Sequence, residues 1–397
     1  MAFPSSWRTR IAAALACAGM LLVGWTGLLV PSLIRSIEPA FDQTDAGIGV
    51  FFFVNSVAYV SGSMLGGLLT ERIGRRVVLP LAVTLIAIGL AGMATVPTWE
   101  LFLVLAIPFG LGAGAIDGGM NGLVLDLYPD SRGRALNLLH LFFSLGALAS
   151  PLVVGRLVEA GAGWQTVIIG TALAAVPIAI LLVVADVPSG RHTRGGATTG
   201  ARIGLSVPLI ALAVAIACYV ASEIGVSNWL VRFLESATLG LATSALALFW
   251  GCLALGRIGT AALGDRFDHA RFAATAALVA GIALVAAVLV PSLPASIVLF
   301  GVVGFAFGPV YPLIMAVGGD RYPSRSAAVS GFLSGSAVIG AIVYPPLMGF
   351  VSVEAGLGVA MIGAAILAFA CAAVLYAVAA RPASMTDAGP SVTSATG

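Results

Sequence analysis

Twelve apolar runs, each long enough to cross a lipid bilayer, recur along the 397-residue chain. A membrane-spanning helix needs about 20 mostly apolar residues, and short polar segments separate runs of this kind throughout the sequence. Because the bilayer core offers no water to backbone groups, such runs must be helices with internal hydrogen bonds. We therefore predict an all-α membrane protein with spans near 11–35, 47–70, 77–96, 99–127, 135–157, 164–186, 207–230, 239–263, 272–292, 295–317, 326–350 and 355–380.

The scarcity of charge excludes several classes of protein. Charged residues make up 9% of the chain and the net charge is +2, whereas soluble domains carry about 25% charged residues. A soluble enzyme and a nucleic-acid-binding protein are therefore not expected, and no nucleophile or metal-ligand cluster indicates an enzyme within the membrane. The cysteines lie inside apolar runs without paired spacing, so we expect no disulfide framework, metal or cofactor; they are Cys17, Cys218, Cys252 and Cys371.

The positive charges, all of them arginines, predict the orientation. Placing the N-terminus in the cytoplasm puts fifteen arginines inside and only Arg35, Arg156 and Arg232 outside, with Arg257 within a span. Cytoplasmic loops of membrane proteins carry the excess of positive charge. We therefore predict an integral plasma (inner) membrane protein, surrounded by the lipid bilayer, with both termini cytoplasmic.

A repeat relates the two halves of the chain at a constant offset of 194 residues. This offset aligns Gly, Pro and charged positions that apolar composition alone would not match, including Gly62 with Gly256, Arg72 with Arg266, Asp126 with Asp320, Tyr128 with Tyr322, and Pro151 with Pro345. We predict an N-terminal six-helix bundle over 1–186, a cytoplasmic linker over 187–206, a C-terminal six-helix bundle over 207–380 and a disordered tail over 381–397. Two copies with six spans each have the same orientation, as in two-halved secondary transporters.

The polar loop between spans two and three carries a specific motif, Gly67-Leu-Leu-Thr-Glu-Arg-Ile-Gly-Arg-Arg76. It resembles the signature loop of the major facilitator superfamily, with Glu71 in place of Asp, and 262–266 is a degenerate copy. An acid beside a cationic loop can pair with a neighbouring span and hold one conformation, for example Asp126 with Arg75 or Arg76. The alternative is that these arginines only set topology. The predicted gating residues are Glu71, Arg72, Arg75, Arg76, Asp126, Asp265 and Arg266.

Further motifs are similar to the fucose-proton symporter branch of this superfamily. They are 117–121, 136–147 and 219–230. The resemblance implies the major facilitator fold, two pseudo-symmetric six-helix bundles, and a transporter of sugars or related polyols driven by protons. Fucose permeases carry an acid in span one where this chain has Gly27, which argues against fucose itself.

Asp117 is the predicted proton carrier. It lies ten residues before the end of span four, about 15 Å along a helix and thus near the bilayer midplane, where desolvation penalises the charged form of a carboxyl group. The alternatives are a structural carboxylate and direct substrate binding. Asn121 shares its helix face, and the resemblance places an acid and an Asn at these positions. His140 in span five is a second candidate for the proton path; the alternative is a plain hydrogen-bonding role, since the resemblance places an amide at this position.

Glu223 in span seven is the other acid placed where charge is costly. It could bind hydroxyl groups of a solute, accept a second proton, or pair with Asn228 or Arg232. Arg257 in span eight is interpreted as structural, snorkelling or pairing with Asp265. Six glycines between Gly110 and Gly122 either bare the helix face or let spans pack closely.

Aromatic side chains could stack on a sugar ring. The candidates are Trp25, Tyr219 and Tyr311, which the resemblance places on cavity-lining spans, together with Trp229, whose alternative is an interfacial position. Gly308-Pro309 and Pro312 predict a bend in span ten. The complete predicted substrate-binding set is Trp25, Asn55, Asn121, Tyr219, Glu223, Asn228, Trp229 and Tyr311.

The leading hypothesis is thus a proton-coupled importer of a small polar solute, with sugars and polyols as the preferred substrate class, acting as a monomer. A proton-driven exporter of drugs or metabolites is the alternative within transport. A membrane sensor or scaffold is the alternative outside it, although the linker and tail are too short and polar for a folded soluble domain.

Overall fold

The computed structural model describes residues 7–129, 131–185, 187–189, 206–263 and 266–380. Over these ranges the chain is helical, and twelve helical segments are long and apolar enough to cross a membrane. The predicted all-helical fold with twelve spans is therefore confirmed. The linker 187–206 and the tail 381–397 lie almost wholly outside the described residues, so these two boundaries stay predictions.

Fourteen α-helices form the twelve spans of the described chain, because spans one and ten are each built from two helices. In chain order they are α1 (Trp7–Gly27), α2 (Leu29–Ala40), α3 (Asp45–Ile73), α4 (Arg75–Met93), α5 (Trp99–Leu127), α6 (Arg132–Glu159), α7 (Trp164–Val184), α8 (Val207–Phe233), α9 (Leu239–Leu263), α10 (His269–Leu289), α11 (Leu293–Phe307), α12 (Val310–Arg321), α13 (Ser326–Ala355) and α14 (Leu357–Ala379).

Large apolar side chains remain exposed along most of these helices. On α7, Leu173 and Val184 keep 65% and 73% of their surface accessible. A protein in water rarely exposes apolar surface on this scale, whereas lipid covers it without cost. The exposed faces are thus lipid-facing, and we call the side on which α1 begins the amino-terminal face and the other side the opposite face.

Helix ends follow the local sequence. Gly74 ends α3 and precedes α4 with φ of 88°, and its N–H bonds to Thr70 O at 3.0 Å. Glycine adopts a positive φ without steric penalty. This explains why the signature loop has a glycine at this position. Thr98 and Asp268 cap α5 and α10 by accepting from backbone N–H groups, as expected of N-cap residues.

Span ten is interrupted where the sequence predicts a bend. Helix α11 ends at Phe307 and α12 begins at Val310, on either side of Gly308 and Pro309. Proline lacks the N–H that would continue the helical ladder, so the break falls there. Span one is also interrupted, at Leu28, which the sequence analysis does not predict.

The chain forms two compact units that do not follow the sequence repeat. Unit 1 comprises Met1–Gly195, Ser227–Gly251 and Pro345–Leu357, and unit 2 comprises Gly196–Val226, Cys252–Tyr344 and Gly358–Gly397. Parts of α8, α9 and α13 from the second repeat thus belong with the first repeat. The division into bundles at 1–186 and 207–380 stays a prediction from the sequence offset.

Candidate functional site: two polar clusters and two ionic contacts

Asp117 lies at the centre of a small polar cluster in unit 1. The Tyr59 hydroxyl on α3 donates to Asp117 Oδ2 at 2.8 Å. Asn121, one helical turn along α5, donates through Nδ2 to Asp117 Oδ1 at 3.0 Å and to the Asp117 backbone oxygen at 2.9 Å. The carboxylate therefore has a donor on each oxygen. The predicted pairing of Asp117 and Asn121 on one face is present, and Tyr59 completes the cluster.

Close packing of α3 on α5 brings Tyr59 to Asp117. A Cβ on Gly114 would lie 1.8 Å from the Tyr59 carbonyl oxygen, and one on Gly110 would lie 2.7 Å from the Asn55 carbonyl oxygen. Only glycine permits this approach, so these glycines serve helix packing. Asn55 lies on the same face of α3, one turn before Tyr59, and its Oδ1 is buried without a hydrogen-bond partner in the described chain.

His140 and Trp25 lie in the same unit. His140 on α6 is exposed and interacts electrostatically with Asp117, which places the two predicted proton-path residues within range of each other. Trp25 on α1 donates through Nε1 to the Thr171 hydroxyl at 3.1 Å. Its ring lines an apolar cavity of about 390 Å³ between α1 and α7, a different location from the Asp117 cluster.

A second polar cluster lies in unit 2. Glu223 on α8 and Arg257 on α9 are separated by 3.8 Å between Oε1 and Nη2. Tyr219, one turn before Glu223, packs its ring against Tyr311 at 6.4 Å between centroids and against Phe307 at 5.5 Å. The Tyr311 hydroxyl is 3.3 Å from the Ser334 hydroxyl on α13. The structure thus brings together three predicted site residues and adds Arg257.

The partner of Glu223 corrects one interpretation made from the sequence. The sequence favours Asn228 or Arg232 as the partner of a structural Glu223. In the structure Glu223 faces Arg257, because α8 and α9 present these positions to each other. Asp265, the residue predicted to pair with a snorkelling or ion-paired Arg257, lies outside the described residues, so that pairing stays a prediction. Asn228 is half-buried near the end of α8.

An ion pair joins the signature loop to α5 at the amino-terminal face. Arg75 Nη1 donates to Asp126 Oδ2 at 2.6 Å, and the Arg75 side chain is 7% exposed. Arg76 donates through Nε to the Val187 oxygen at 3.0 Å. The predicted pairing of the loop with Asp126 is therefore present, through Arg75. The remaining loop residues Glu71 and Arg72 are exposed, as is Arg266 in the second copy.

A larger ionic network lies at the opposite face, within unit 1. Arg232 Nε on α8 is 3.0 Å from Glu38 Oε2 on α2 and 3.0 Å from Asp45 Oδ1 on α3. Arg232 also pairs with Glu235, and Asp45 accepts a short hydrogen bond from Ser352 on α13. We call Glu38, Asp45, Arg232, Glu235 and Ser352 the opposite-face network. It ties the end of α8 to the connection between spans one and two.

Two further contacts reinforce this face. Glu159 Oε1, at the end of α6, accepts from the Gly240 N–H at the start of α9, at 2.7 Å. Trp229 is fully buried, and its Nε1 donates to the Pro345 oxygen at 2.8 Å while its ring meets Phe52 edge-on. The sequence predicts that Trp229 contacts solute or lies at the interface. The structure instead places it in packing contacts with no exposed surface.

Sequence reasoning missed Tyr59 and the acids of the opposite-face network. Tyr59 is one helical turn from Asn55 on α3, a spacing that could have marked a polar face opposite Asp117. Glu38 and Asp45 flank a loop, where acids are usually solvated, so no local pattern indicated their burial. Arg257 did carry a signal, because an arginine within a span is a functional candidate by default.

The described residues thus show a polytopic membrane protein with twelve apolar spans, polar clusters within these spans and ion pairs near their ends. Comparison with known proteins gives the family. The family model of the Major Facilitator Superfamily matches residues 11–261 and 209–394. The chain belongs to the Major Facilitator Superfamily, a family of membrane transporters, and it is accordingly an integral membrane protein.

The curated relatives include transporters of different solutes. Sodium-dependent glucose transporter 1 of Danio rerio is 26% identical over 147 residues, which are 37% of this chain and 25% of that protein. The chain thus aligns with about a quarter of that relative's length. The gentisate transporter of Corynebacterium glutamicum is 26% identical over 362 residues, covering 83% of this chain and 80% of that protein.

Solved structures share the fold over nearly the whole chain. A bacterial homolog of the human lysosomal transporter Spinster, inward-facing and occupied, has a TM-score of 0.82 at 16% identity, covering 96% of this chain and 99% of that one. The D-xylose-proton symporter has a TM-score of 0.76 at 16% identity, covering 92% and 97%. FucP in the outward conformation has a TM-score of 0.64 at 20% identity, covering 94% and 99%.

Proposed function

We propose that this protein is a secondary active transporter that moves a small polar solute, a sugar or polyol first among the candidates, by proton-coupled alternating access. The observation that carries the proposal is the Asp117 cluster. A carboxyl group near the middle of a span, with Tyr59 and Asn121 on its two oxygens, can exchange a proton and change its hydrogen bonds when it does. Such a group links protonation to helix packing.

The relatives support a hydroxyl-bearing solute. A glucose transporter is among the sequence relatives and a xylose-proton symporter among the structural ones. Tyr311 of the second cluster, which is half-buried, suits a ring that presents apolar faces and hydroxyl edges. The longer match to a gentisate transporter favours a second candidate within transport, a small organic solute that is not a sugar.

The ion pairs at the two faces support alternating access. The Arg75–Asp126 pair at the amino-terminal face and the opposite-face network can each hold one end of the bundle closed. Buried or half-buried pairs are costly to break singly, so each would favour one conformation until the solute and proton bind. The gating roles of Glu71, Arg72, Arg76, Asp265 and Arg266 belong to this proposal.

The sidedness of the protein is part of the proposal. The arginine bias supports cytoplasmic termini and a location in the inner membrane. The even number of spans among the described residues supports termini on the same face. We further propose that the transporting unit is a monomer, that import is the working direction and that the proton gradient is its energy source.

The test is solute-driven proton movement in proteoliposomes. With D-glucose, D-xylose and D-mannitol as probes and a pH dye in the lumen, an active solute should acidify the lumen as it enters. Asp117→Asn should abolish proton movement and gradient-driven accumulation while allowing solute exchange. Glu100→Gln, which changes an exposed acid at the start of the same helix, is the matched control and should behave as the wild type.

Undiminished accumulation by Asp117→Asn would refute its role as the proton carrier. Accumulation that follows a sodium gradient and ignores the proton gradient would refute proton coupling while leaving transport intact. If protons enter the vesicle only while the solute leaves it, the protein is an exporter that works by antiport.

A further inference from the structure

The Glu223–Arg257 pair in unit 2 is an ion pair without a direct hydrogen bond. Its nearest charged atoms are 3.8 Å apart, whereas N–H···O hydrogen bonds between charged groups are about 2.7–2.9 Å long. The Glu223 side chain is 6% exposed and that of Arg257 is 34% exposed. The Arg257 side chain is thus partly accessible, although it belongs to a membrane-spanning helix.

One donor of this pair has no hydrogen-bond partner within the described chain. It is Nε of Arg257, and it is buried. The Tyr219 hydroxyl is also buried, next to Glu223 and Arg257, and interacts with both of these side chains. Unpaired buried donors in native structures require an explanation. A ligand that supplies an acceptor would satisfy Nε of Arg257.

The chemistry of the cluster selects the ligand. A guanidinium only donates, and its planar fork matches a carboxylate in two parallel hydrogen bonds. Tyr219 and Phe307 pack against each other beside the pair, and both are fully buried. The hydroxyls of Tyr311 and Ser334, 3.3 Å apart, can each bond a hydroxyl of a ligand. A neutral sugar would use these hydroxyls but would leave the charge of Arg257 unused.

We propose that Arg257 binds the carboxylate of a small hydroxylated monocarboxylate, and that Glu223 is the internal counter-ion that releases Arg257 when it takes up a proton. This inference rests on the proposed transport function and names the substrate class of that function. Arg257 would then be a specificity-determining residue, where the sequence suggested a structural one.

The charges balance through the exchange. Before binding, Glu223 carries one negative charge and Arg257 one positive charge. After binding, Glu223 holds a proton, and the carboxylate of the solute pairs with Arg257. The net charge of the cluster is zero in both states, so neither state buries an unpaired charge, which would be costly in a membrane. One proton therefore accompanies each anion through this site, separately from the proton assigned to Asp117.

The groups around Glu223 are compatible with this exchange. From its own helix Tyr219 faces it, and from α9 Arg257 faces it. Arg257 in turn has Tyr219, Glu223 and Tyr311 of α12 as electrostatic neighbours. From α13 Ser334 reaches Tyr311, and from α14 the Ala364 backbone oxygen accepts from Ser222. Among these groups Arg257 carries the positive charge. A bound carboxylate would compete with Glu223 for this charge.

The test compares carboxylates with their neutral counterparts in binding to the full-length purified protein. Matched pairs are D-gluconate with sorbitol, D-glucuronate with D-glucose, and 4-hydroxybenzoate with 4-hydroxybenzyl alcohol. We expect at least one carboxylate to raise the melting temperature, since a ligand stabilises the state it binds, and its neutral partner to do so far less. Isothermal titration at pH 6 and pH 8 then gives the affinity, which should be higher at pH 6.

Variants assign the effect to the pair. Arg257→Gln should weaken carboxylate binding by roughly tenfold or more, and Arg257→Lys should restore part of it, because lysine keeps the charge but not the fork. Glu223→Gln should bind the carboxylate at pH 8 as tightly as at pH 6, since Arg257 is then free at both. The double variant Arg257→Gln/Glu223→Gln buries no unpaired charge and controls for folding. Arg156→Gln, at an exposed arginine, should change nothing.

The outcomes separate this inference from the proposed function. Stabilisation by sorbitol or D-glucose and by none of the three carboxylates overturns the inference and leaves sugar transport standing, and no response to any carboxylate overturns it as well. Carboxylate binding that survives Arg257→Gln unchanged also overturns it. Arg257-dependent binding without proton movement in proteoliposomes would support the site while contradicting proton-coupled transport.

Discussion

The hydroxyl of Tyr59 shows how one atom can determine the behaviour of an intramembrane acid. It donates to Asp117 Oδ2 while Asn121 donates to Oδ1, so the ionised carboxylate is satisfied from two helices. Asp117 and Asn121 both lie on α5, so the Tyr59 bond is the one that joins two helices. Protonation of Asp117 would change the acceptor of that bond. Under the proposed function, the proton would thereby be linked to the pairing of α3 with α5.

Tyr59→Phe tests this link at the residue scale. The change removes one hydrogen bond without altering the ring, and hydrogen bonds between membrane helices contribute about 0.6–2 kcal/mol. We expect the protein to fold with a small loss of thermal stability, the initial rate of proton-driven uptake to fall severalfold, and the pH dependence of uptake to change.

Tyr376→Phe is the matched control, because it also removes one tyrosine hydrogen bond, to Thr275 at an exposed position. It should leave both the rate and its pH dependence unchanged. If Tyr59→Phe kept the wild-type pH profile, Tyr59 would be a packing residue without influence on Asp117.

At the scale of the element, glycine spacing determines how close α3 and α5 lie. Gly62, Gly66, Gly110 and Gly114 each place a backbone within the distance that a Cβ would fill. Lipid is as apolar as the side chains, so close van der Waals contact and interhelical hydrogen bonds drive the association of spans. The glycines allow the contact, and the Tyr59–Asp117 bond follows from it.

Gly114→Ala should separate these helices. Its Cβ would lie 1.8 Å from the carbonyl oxygen of Tyr59, and a backbone atom cannot move without moving α3. We expect a loss of stability of about 1–3 kcal/mol, typical of overpacking, measured by thermal unfolding in detergent, together with reduced transport.

Gly170→Ala supplies the comparison, since a Cβ at Gly170 on α7 meets nothing within 4 Å. Alanine favours a helix interior over glycine by up to about 1 kcal/mol, so this variant should be neutral or slightly more stable. Equal stability of the two variants would show that the close approach of α3 and α5 carries no energetic weight.

At the scale of the whole molecule, the two compact units divide the chain differently from the two sequence repeats. The repeat divides the chain after the sixth span, yet Ser227–Gly251 and Pro345–Leu357 belong to the same unit as the first repeat. Contacts within this unit include the opposite-face network, Glu159 with Gly240 and Trp229 with Pro345. In the proposed transport cycle we expect the opposite-face network to open.

Arg232→Gln should favour that rearrangement. It leaves Glu38 and Asp45, whose side chains are 12% and 9% exposed, without their cation, and removing one partner of a buried pair is strongly destabilising. In a background with the four native cysteines replaced by alanine, Ile48→Cys reports on this face because Ile48 is fully buried. Arg232→Gln should raise its rate of maleimide labelling by about tenfold or more.

The exposed Arg156→Gln is again the control and should label at the parent rate. A rate unaffected by Arg232→Gln would mean that the opposite-face network does not hold this end closed. Transport should also decrease in Arg232→Gln if the closed state is part of the cycle.

The amino-acid sequence was sufficient to predict the fold class, the number of spans, the break in span ten and the pairing of Asp117 with Asn121. These features are local or nearly so, because a bilayer requires a fixed length of apolar helix with its backbone bonds satisfied internally. A turn of helix fixes which neighbours share a face. The ion pair between the signature loop and Asp126 could also be predicted from the sequence, since both lie at the same face and carry opposite charges.

The contacts between distant residues required the three-dimensional structure. Glu223 faces Arg257 and not Arg232, Arg232 holds Glu38 and Asp45, Tyr59 reaches Asp117, and Trp229 is enclosed. The physical reason is rotational. Each residue turns a helix by about 100°, so which side chain faces a neighbour depends on how each helix is turned and how closely it packs. The length of an apolar run specifies that a helix crosses the membrane, but it does not specify how the helix is rotated about its axis. Close contacts at glycines and pairs of buried charges determine that rotation.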